Sequence, residues 1–484
     1  MIFTSPSRQR AVATARGLTA LGVGCAIGFV ARGASASTGA SLPAHADVEG
    51  APAPVAEIRS PGGARRTAPW TDLSRTPLEP GRYELRVKLV TPAPGGAIVV
   101  PPCAGRGSVR VDGKEVEALA GPLVVGVTSG PHSVDVVLEV SDYERRIACG
   151  EPVRTGAIRR TIEGLGVLTF DSPRGARGSG KAVVYLPPGS DATRPRPLLV
   201  GLHPWNGSPW TYAAYAELLA EARARDVVLL MPSGLGNSLY TGDAEREALR
   251  AIDAMLRVVW IDPRAISLWG ASMGGAGATT IAFHHPDRFA SVTSFFGDSR
   301  YDLSTYVRAI LPSPAAAHAV NALDVVENAR HLPVWLVHGE EDRTSPIRQS
   351  EMLADAMRAR GFAVRFDRAA GFGHSGALVA KYASEVVDVA ASSRLPLEVR
   401  RVTYRSVRSE DVGAYGVSIV RATPMGDAFV DVERRDDGVH LVACSGVRSI
   451  GLRAGALGAA PDRPPRIVSD DALCSVPAEW EPAP

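Results

Sequence analysis

The sequence predicts an α/β protein: a mainly parallel, doubly wound sheet flanked by an N-terminal β-sandwich-like domain and a small C-terminal β module. Three observations carry that expectation. Between residues 161 and 395, short apolar runs near Ala182, Leu198, Val227, Ile266, Val292, Val334 and Ala363 alternate with helical stretches at 211–225, 244–259 and 347–360. Strands separated by helices pair in parallel, with the helices covering both faces of the sheet. On either side of this region the pattern changes to short alternating runs broken by turn residues, the signature of antiparallel sheets. The composition agrees, since 484 residues with 45% apolar content are enough to fill several cores.

In chain order, residues 1–36 read as a signal peptide. Arg8, Arg10 and Arg16 form a basic start, residues 17–31 an apolar stretch, and Ala34-Ser35-Ala36 a small-residue cleavage site. The apolar stretch is shorter than the roughly 20 residues of a membrane-spanning helix, so no span is expected in the mature chain. Cys25, after Leu21-Gly22-Val23-Gly24, offers lipid anchoring as the alternative. It ranks second because apolar residues continue through Ile27, Phe29 and Val30. An uncleaved anchor is the third reading.

Residues 37–77, rich in Ala, Pro, Gly and Ser, read as a linker. The runs 83–89, 97–100, 108–111, 123–127 and 133–140, with a hairpin turn at Asp112-Gly113, predict the β-sandwich-like domain over 78–160. Its role is either a substrate-binding module or a packing partner for the next domain. After the α/β region at 161–395, the runs 399–404, 417–422, 428–433 and 439–443 predict a β-rich module over 396–458, and a Pro-rich tail fills 459–484. Apart from Cys25 the chain has four cysteines, and each pair falls within one non-catalytic segment. Disulfides Cys103–Cys149 and Cys444–Cys474 are therefore expected in an exported chain, one of three pairings that four cysteines allow.

Within the α/β region, Ile266-Ser267-Leu268-Trp269-Gly270-Ala271-Ser272-Met273-Gly274-Gly275 reads as a buried strand, a sharp turn with serine at its apex, and a helix opened by small residues. The segment 274–284 is expected to be an amphipathic helix. Such a turn holds a serine hydroxyl clear of the sheet. A serine alkoxide is inaccessible near neutral pH, so the hydroxyl needs a histidine base, itself oriented by a carboxylate. Asp342 follows the strand Val334-Trp335-Leu336-Val337, at the strand end where open α/β sheets gather functional side chains. Glu340, Glu341 and Asp298 compete for the same role. Asp342 is preferred because it lies deeper in the loop, ahead of Thr344-Ser345-Pro346. His374, in Gly371-Phe372-Gly373-His374, is the histidine on a glycine loop after the last strand, whereas His338 reads as structural. The order serine, acid, histidine is that of α/β-hydrolases.

Acyl transfer also needs donors for the developing oxyanion. One is the Met273 N–H. The loop His203-Pro204-Trp205-Asn206-Gly207 supplies the other, assigned to Trp205 because proline has no N–H.

Residues 180–392 resemble secreted α/β-hydrolases of the prolyl-oligopeptidase-like (S9-like) and feruloyl or acetylxylan esterase-like group. The phrases that carry the likeness are Gly270-Ala271-Ser272-Met273-Gly274-Gly275, His285-Pro286-Asp287-Arg288-Phe289, His338-Gly339-Glu340-Glu341-Asp342 and Gly373-His374. The resemblance implies a cofactor-free Ser-His-Asp hydrolase that works through an acyl-enzyme, and it leaves the substrate open. Large oligopeptidases of this group gate their site with a propeller of several blades, and at about 40 residues per blade the roughly 80-residue N-terminal β segment could supply only two. An esterase acting on acyl or feruloyl groups of polysaccharide is therefore the first expectation. A small-peptide peptidase is the second, and a catalytically silent cell-surface binding protein the third.

Charge says little about partners. The segment 1–36 holds four arginines and no acid, leaving 49 basic against 51 acidic residues downstream. No basic run interleaves with aromatics, so nucleic acid is not an expected partner. No metal is expected either, because neither H-E-x-x-H nor C-x-x-C occurs. The near-P-loop Gly175-Ala176-Arg177-Gly178-Ser179-Gly180-Lys181-Ala182 lacks the magnesium-binding hydroxyl and leads into a strand.

Overall fold

The computed structural model describes residues 42, 45–49, 52–53, 55–91, 96–116, 121–161, 163–172, 178–189, 194–304, 307, 310–311, 313–459, 464–470, 474 and 476–481. The expected signal peptide and Cys25 lie outside them.

The centre is an eight-stranded sheet: β1 (Gly164–Asp171), β2 (Ser179–Leu186), β3 (Arg196–Leu202), β4 (Val228–Pro232), β5 (Ile261–Ala271), β6 (Ser291–Phe295), β7 (Val334–Gly339) and β8 (Val364–Ala369), in the order β1-β2-β4-β3-β5-β6-β7-β8. β1 and β2 pair antiparallel at one edge, and from β4 to β8 every neighbour is parallel. Helices α1 (Ala216–Ala224), α2 (Asp243–Val258), α3 (Met273–His284) and α4 (Arg348–Ala359) lie between successive strands, and α5 (Gly376–Lys381) and α6 (Ala383–Ser392) follow β8. The two faces of the sheet are buried in separate cores. One holds Val200, Leu268 and Ile281 with α2, α3 and α4, and the other Leu199, Trp269 and Val387 with α1 and α6. β5 and β6 are buried along nearly their whole length, as strands covered on both faces must be. This is the α/β-hydrolase arrangement, and each expected apolar run became one of its strands. α3 differs from expectation: every residue is buried, so it is a central helix and not an amphipathic one.

N-terminal to this sheet, strands Arg65–Pro69, Val55–Arg59, Gly81–Thr91, Gly130–Val140, Arg106–Val111 and Lys114–Val116 form a six-stranded antiparallel sheet in that order. It packs on a four-stranded sheet of His45–Glu49, Arg154–Thr161, Gly96–Val100 and Leu123–Val127. Ile58, Leu85, Val87, Ile98, Val100, Val136 and Leu138 fill the core between them. Asp112 (φ 51°) and Gly113 (φ 76°) make the expected hairpin turn. The linker expectation for 37–77 needs correction, because three strands lie there. In Val55–Arg59 only Ala56 and Ile58 face the core, too short an alternation to stand out in a Pro- and Gly-rich stretch.

The C-terminal module is again two four-stranded sheets, packed through Val402, Tyr404, Ile419, Val430, Leu441, Ile450 and Leu452. Its last strands, Ile467–Ser469 and Ala478–Glu481, lie in the expected tail and pair parallel to neighbours over three and four residues. Disulfides Cys103–Cys149 and Cys444–Cys474 lie one in each flanking module. Among the described residues, no helix is long and apolar enough to cross a membrane.

Buried charge joins the C-terminal module to α2 and α3. Arg408 donates to both oxygens of Glu245 at 2.6 and 2.7 Å and to Asp411 at 2.9 Å, and His284 meets Asp411 at 2.8 Å. Burial alone would raise the Glu245 carboxyl, but hydrogen bonds from His285 and Arg408 and the Arg408 charge outweigh it and pull it down to about 2. A carboxyl depressed on folding contributes stability that is present above its unfolded value near 4.5 and lost as pH falls toward 2. Arg408→Ala removes the guanidinium from two buried carboxylates, leaving Glu245 with His285 and Asp411 with His284. It should cost roughly 3 to 5 kcal/mol, read as a lower midpoint in thermal unfolding near neutral pH.

Between β6 and β7, the helical segment Ala322–His331 packs on α3, α4 and the strand Arg401–Ser406, and the Val320 carbonyl just before it accepts from Thr280. Thr280 is two helical turns along α3 from Ser272, so this segment braces the junction with the C-terminal module.

Candidate active site

Ser272 sits between β5 and α3 with φ 56° and ψ −121°. A non-glycine residue in this region carries strain of order 1–3 kcal/mol, and the surroundings fix it. The Ser272 N–H donates to the Phe295 carbonyl at 2.9 Å. The Ala271 N–H donates to the Tyr212 hydroxyl at 3.0 Å, which donates in turn to the Leu202 carbonyl at 2.8 Å. A Cβ on Gly274 would lie 1.8 Å from the Leu202 oxygen, and one on Gly270 would lie 2.4 Å from the Gly274 carbonyl. Glycine is required at both positions for helix and strand to approach this closely.

The three candidate residues meet. The Ser272 Oγ is 2.8 Å from His374 Nε2, and His374 Nδ1 is 2.7 Å from Asp342 Oδ2. That places the tautomer proton on Nδ1, donated to the carboxylate, and leaves Nε2 to accept from the serine hydroxyl. Asp342 lies in the loop after β7, its side chain fully buried. Its other oxygen accepts the Thr344 and Ser345 N–H groups at 2.8 and 2.9 Å. Burial would push its carboxyl up. Hydrogen bonds from His338 and His374, the His374 charge and the Ser345 N–H outweigh burial and hold it well below the usual carboxylate range. Asp342 is therefore an anion across the working pH range, as a group that orients an imidazole must be.

Two of the competitors are engaged elsewhere. Glu340 pairs with Arg368 at 3.0 Å. Asp298 accepts from Ser345 and Ser304, both at 2.5 Å, and so steadies the loop that holds Asp342. His338 ends β7 fully buried, with Nε2 2.8 Å from the Ser345 carbonyl and 3.5 Å from Asp342.

Met273 is the first residue of α3, where N–H groups have no intrahelical partner and the helix dipole favours negative charge. In the loop after β3, the His203 N–H donates to the Tyr240 hydroxyl, that of Asn206 to Asn237, and that of Gly207 to the Pro204 carbonyl. Trp205 lies between them, and its half-exposed ring lines a cleft of about 520 Å³. The opposite wall comes from the N-terminal module: Cys103–Arg106, Ser141, Tyr143 and Glu144. Sequence reasoning missed Tyr143, whose ring lies 6.0 Å from that of His374, and Tyr212, which supports the turn. Neither carries a local motif.

The prolyl oligopeptidase family matches residues 239–391, which include Ser272, Asp342 and His374. A protein named as an esterase, NocK of Nocardia uniformis subsp. tsuyamanensis, is 28% identical over 185 residues, 36% of this chain and 47% of the relative. The chain thus spans about half the length of the curated relative it matches. Among solved structures, an S-formylglutathione hydrolase from Agrobacterium tumefaciens is 19% identical, covering 48% of this chain and 95% of its own, with a TM-score of 0.42. The fluorophosphonate-binding serine hydrolase FphF of Staphylococcus aureus is 16% identical, covering 48% and 99%, with a TM-score of 0.43.

Proposed function

We propose that the chain is a serine hydrolase like the prolyl oligopeptidase family and the esterase it resembles, that Ser272, His374 and Asp342 form its catalytic triad, and that it cleaves carboxylic esters through an acyl-enzyme. The observation that carries this reading is the continuous hydrogen-bond chain from the serine hydroxyl through both imidazole nitrogens to a buried carboxylate. Ser272 Oγ attacks the carbonyl carbon while His374 Nε2 takes its proton. Asp342 stabilises the imidazolium, and the N–H groups of Met273 and Trp205 receive the oxyanion. The proton then passes from Nε2 to the departing alcohol. Water, deprotonated by the same nitrogen, adds to the acyl-enzyme, and collapse releases the acid and regenerates Ser272.

Two observations favour esters, with acyl or feruloyl groups on polysaccharide as the substrate class. The N-terminal module is a pair of packed sheets and not a ring of blades, so it leaves the cleft ungated. The cleft offers aromatic faces from Trp205 and Trp210 beside the polar Asn206, Ser208 and Thr211, a lining suited to an aromatic acyl group or a sugar. A peptidase acting on small peptides is the second reading, favoured by the family match over 239–391. Two disulfides support a site of action outside the cytoplasm.

Parallel panels of aryl and polysaccharide-linked esters and of aminoacyl and dipeptide amides test the choice. Ester turnover should exceed amide turnover by orders of magnitude in kcat/KM. Equal or greater amide turnover would move the assignment to the peptidase reading.

A further inference from the structure

Tyr143 belongs to the N-terminal module, in the segment between strands Gly130–Val140 and Arg154–Thr161, yet its neighbours are those of the candidate active site. Its ring lies 6.0 Å from the His374 ring and 6.3 Å from Phe296, which itself lies 4.6 Å from His374. Its backbone carbonyl accepts two hydrogen bonds from the residues just after His374: the Ser375 hydroxyl at 3.0 Å and the Gly376 N–H at 2.9 Å. A Cβ on Gly376 would come within 2.6 Å of Glu144 Oε2 and 2.9 Å of the Tyr143 ring, so the two segments are in close contact.

This segment is held firmly. Glu144 accepts from Arg146 at 2.5 Å and from the Tyr215 hydroxyl at 2.7 Å, and Arg146 reaches Glu217 on α1 at 3.1 Å. The Arg146 guanidinium also stacks over Tyr215 at 4.6 Å. Cys149, at the end of the segment, is tied to Cys103. His374 stands on a glycine loop with little stiffness of its own. Its orientation is therefore set by Asp342, by Phe296 and by a segment of another module.

We infer that Tyr143 is a positioning residue for His374, through which the N-terminal module completes the active site of the α/β domain. The inference rests on the triad reading above. The part of Tyr143 that acts is its ring. The hydroxyl is buried and has no hydrogen-bond partner among the described residues, and burial holds it protonated, well above the ordinary tyrosine range. An unpaired buried hydroxyl costs about 1–3 kcal/mol, so nothing in the structure rewards it. The ring packs beside the imidazole and edge-on to Phe296, and the carbonyl fixes the loop.

Tyr143→Phe, Tyr143→Leu and Tyr143→Ala in the full chain test this, with ester kinetics and fluorophosphonate labelling rates measured on protein of verified fold. Tyr143→Phe should keep kcat within about threefold and unfold at the same or a higher temperature. Tyr143→Ala should lower kcat and the labelling rate by about 10- to 100-fold with KM little changed, the effect expected of a misplaced base. Tyr143→Leu should fall between them and gives the answer if the alanine variant does not fold. Wild-type kcat in the folded leucine or alanine variant would overturn the inference, as would a loss in Tyr143→Phe equal to that in Tyr143→Ala. Absence of labelling in the wild-type chain would instead overturn the hydrolase reading on which it rests.

Discussion

Replacing Ser272 by alanine should lower kcat on ester substrates by about four to six orders of magnitude while leaving the fold intact. The loss is large because no neighbour substitutes for the hydroxyl. His374 Nε2 has it as its hydrogen-bond partner at 2.8 Å, and the turn conformation that presents it rests on backbone contacts that alanine preserves. Circular dichroism should be unchanged, and the midpoint of thermal unfolding should shift by no more than a few degrees. Turnover within tenfold of wild type would remove Ser272 from the mechanism.

Asp342→Asn should be the next most damaging change, at roughly 10⁴-fold in kcat near neutral pH. The carboxylate accepts from His374 Nδ1 at 2.7 Å, and an amide turned to donate at that position would favour the wrong imidazole tautomer. The Thr344 and Ser345 N–H groups need an acceptor, and the amide oxygen supplies one. The amide nitrogen is therefore directed at His374. Steady-state kinetics should show the fall in kcat with a modest change in KM. A loss under tenfold would mean that the carboxylate does not orient the base.

Where chemistry and local sequence coincide, the fold was legible. The run from Ile266 to Gly275 contains its own geometric requirements, since Gly270 and Gly274 mark the close approach of strand and helix around Ser272. Asp342 and His374 could be found because each directly follows a recognisable strand, β7 or β8. The parallel strands carry long apolar runs because both their faces are buried, so they too stood out.

What was missed depends on distant partners. Val55–Arg59 and Arg65–Pro69 are strands because Gly81–Thr91 is there to pair with, and their own alternation is too short to announce it. α3 was expected to have a polar face because a helix opening on small residues says nothing about what covers its far side. The Tyr143 carbonyl accepts a hydrogen bond from a serine 232 positions away. No window on the sequence joins the two, and the tyrosine has no motif to mark it. The same is true of the Glu245–Arg408 pair, which fixes the C-terminal module to α2.

The most direct measurement is labelling of the intact wild-type protein with a fluorophosphonate, followed by proteolysis and mass spectrometry to locate the adduct. The account predicts a single phosphonylated residue, Ser272, formed quickly in the wild type and absent when the protein is unfolded beforehand. An unlabelled native protein, or an adduct on another residue, would contradict it.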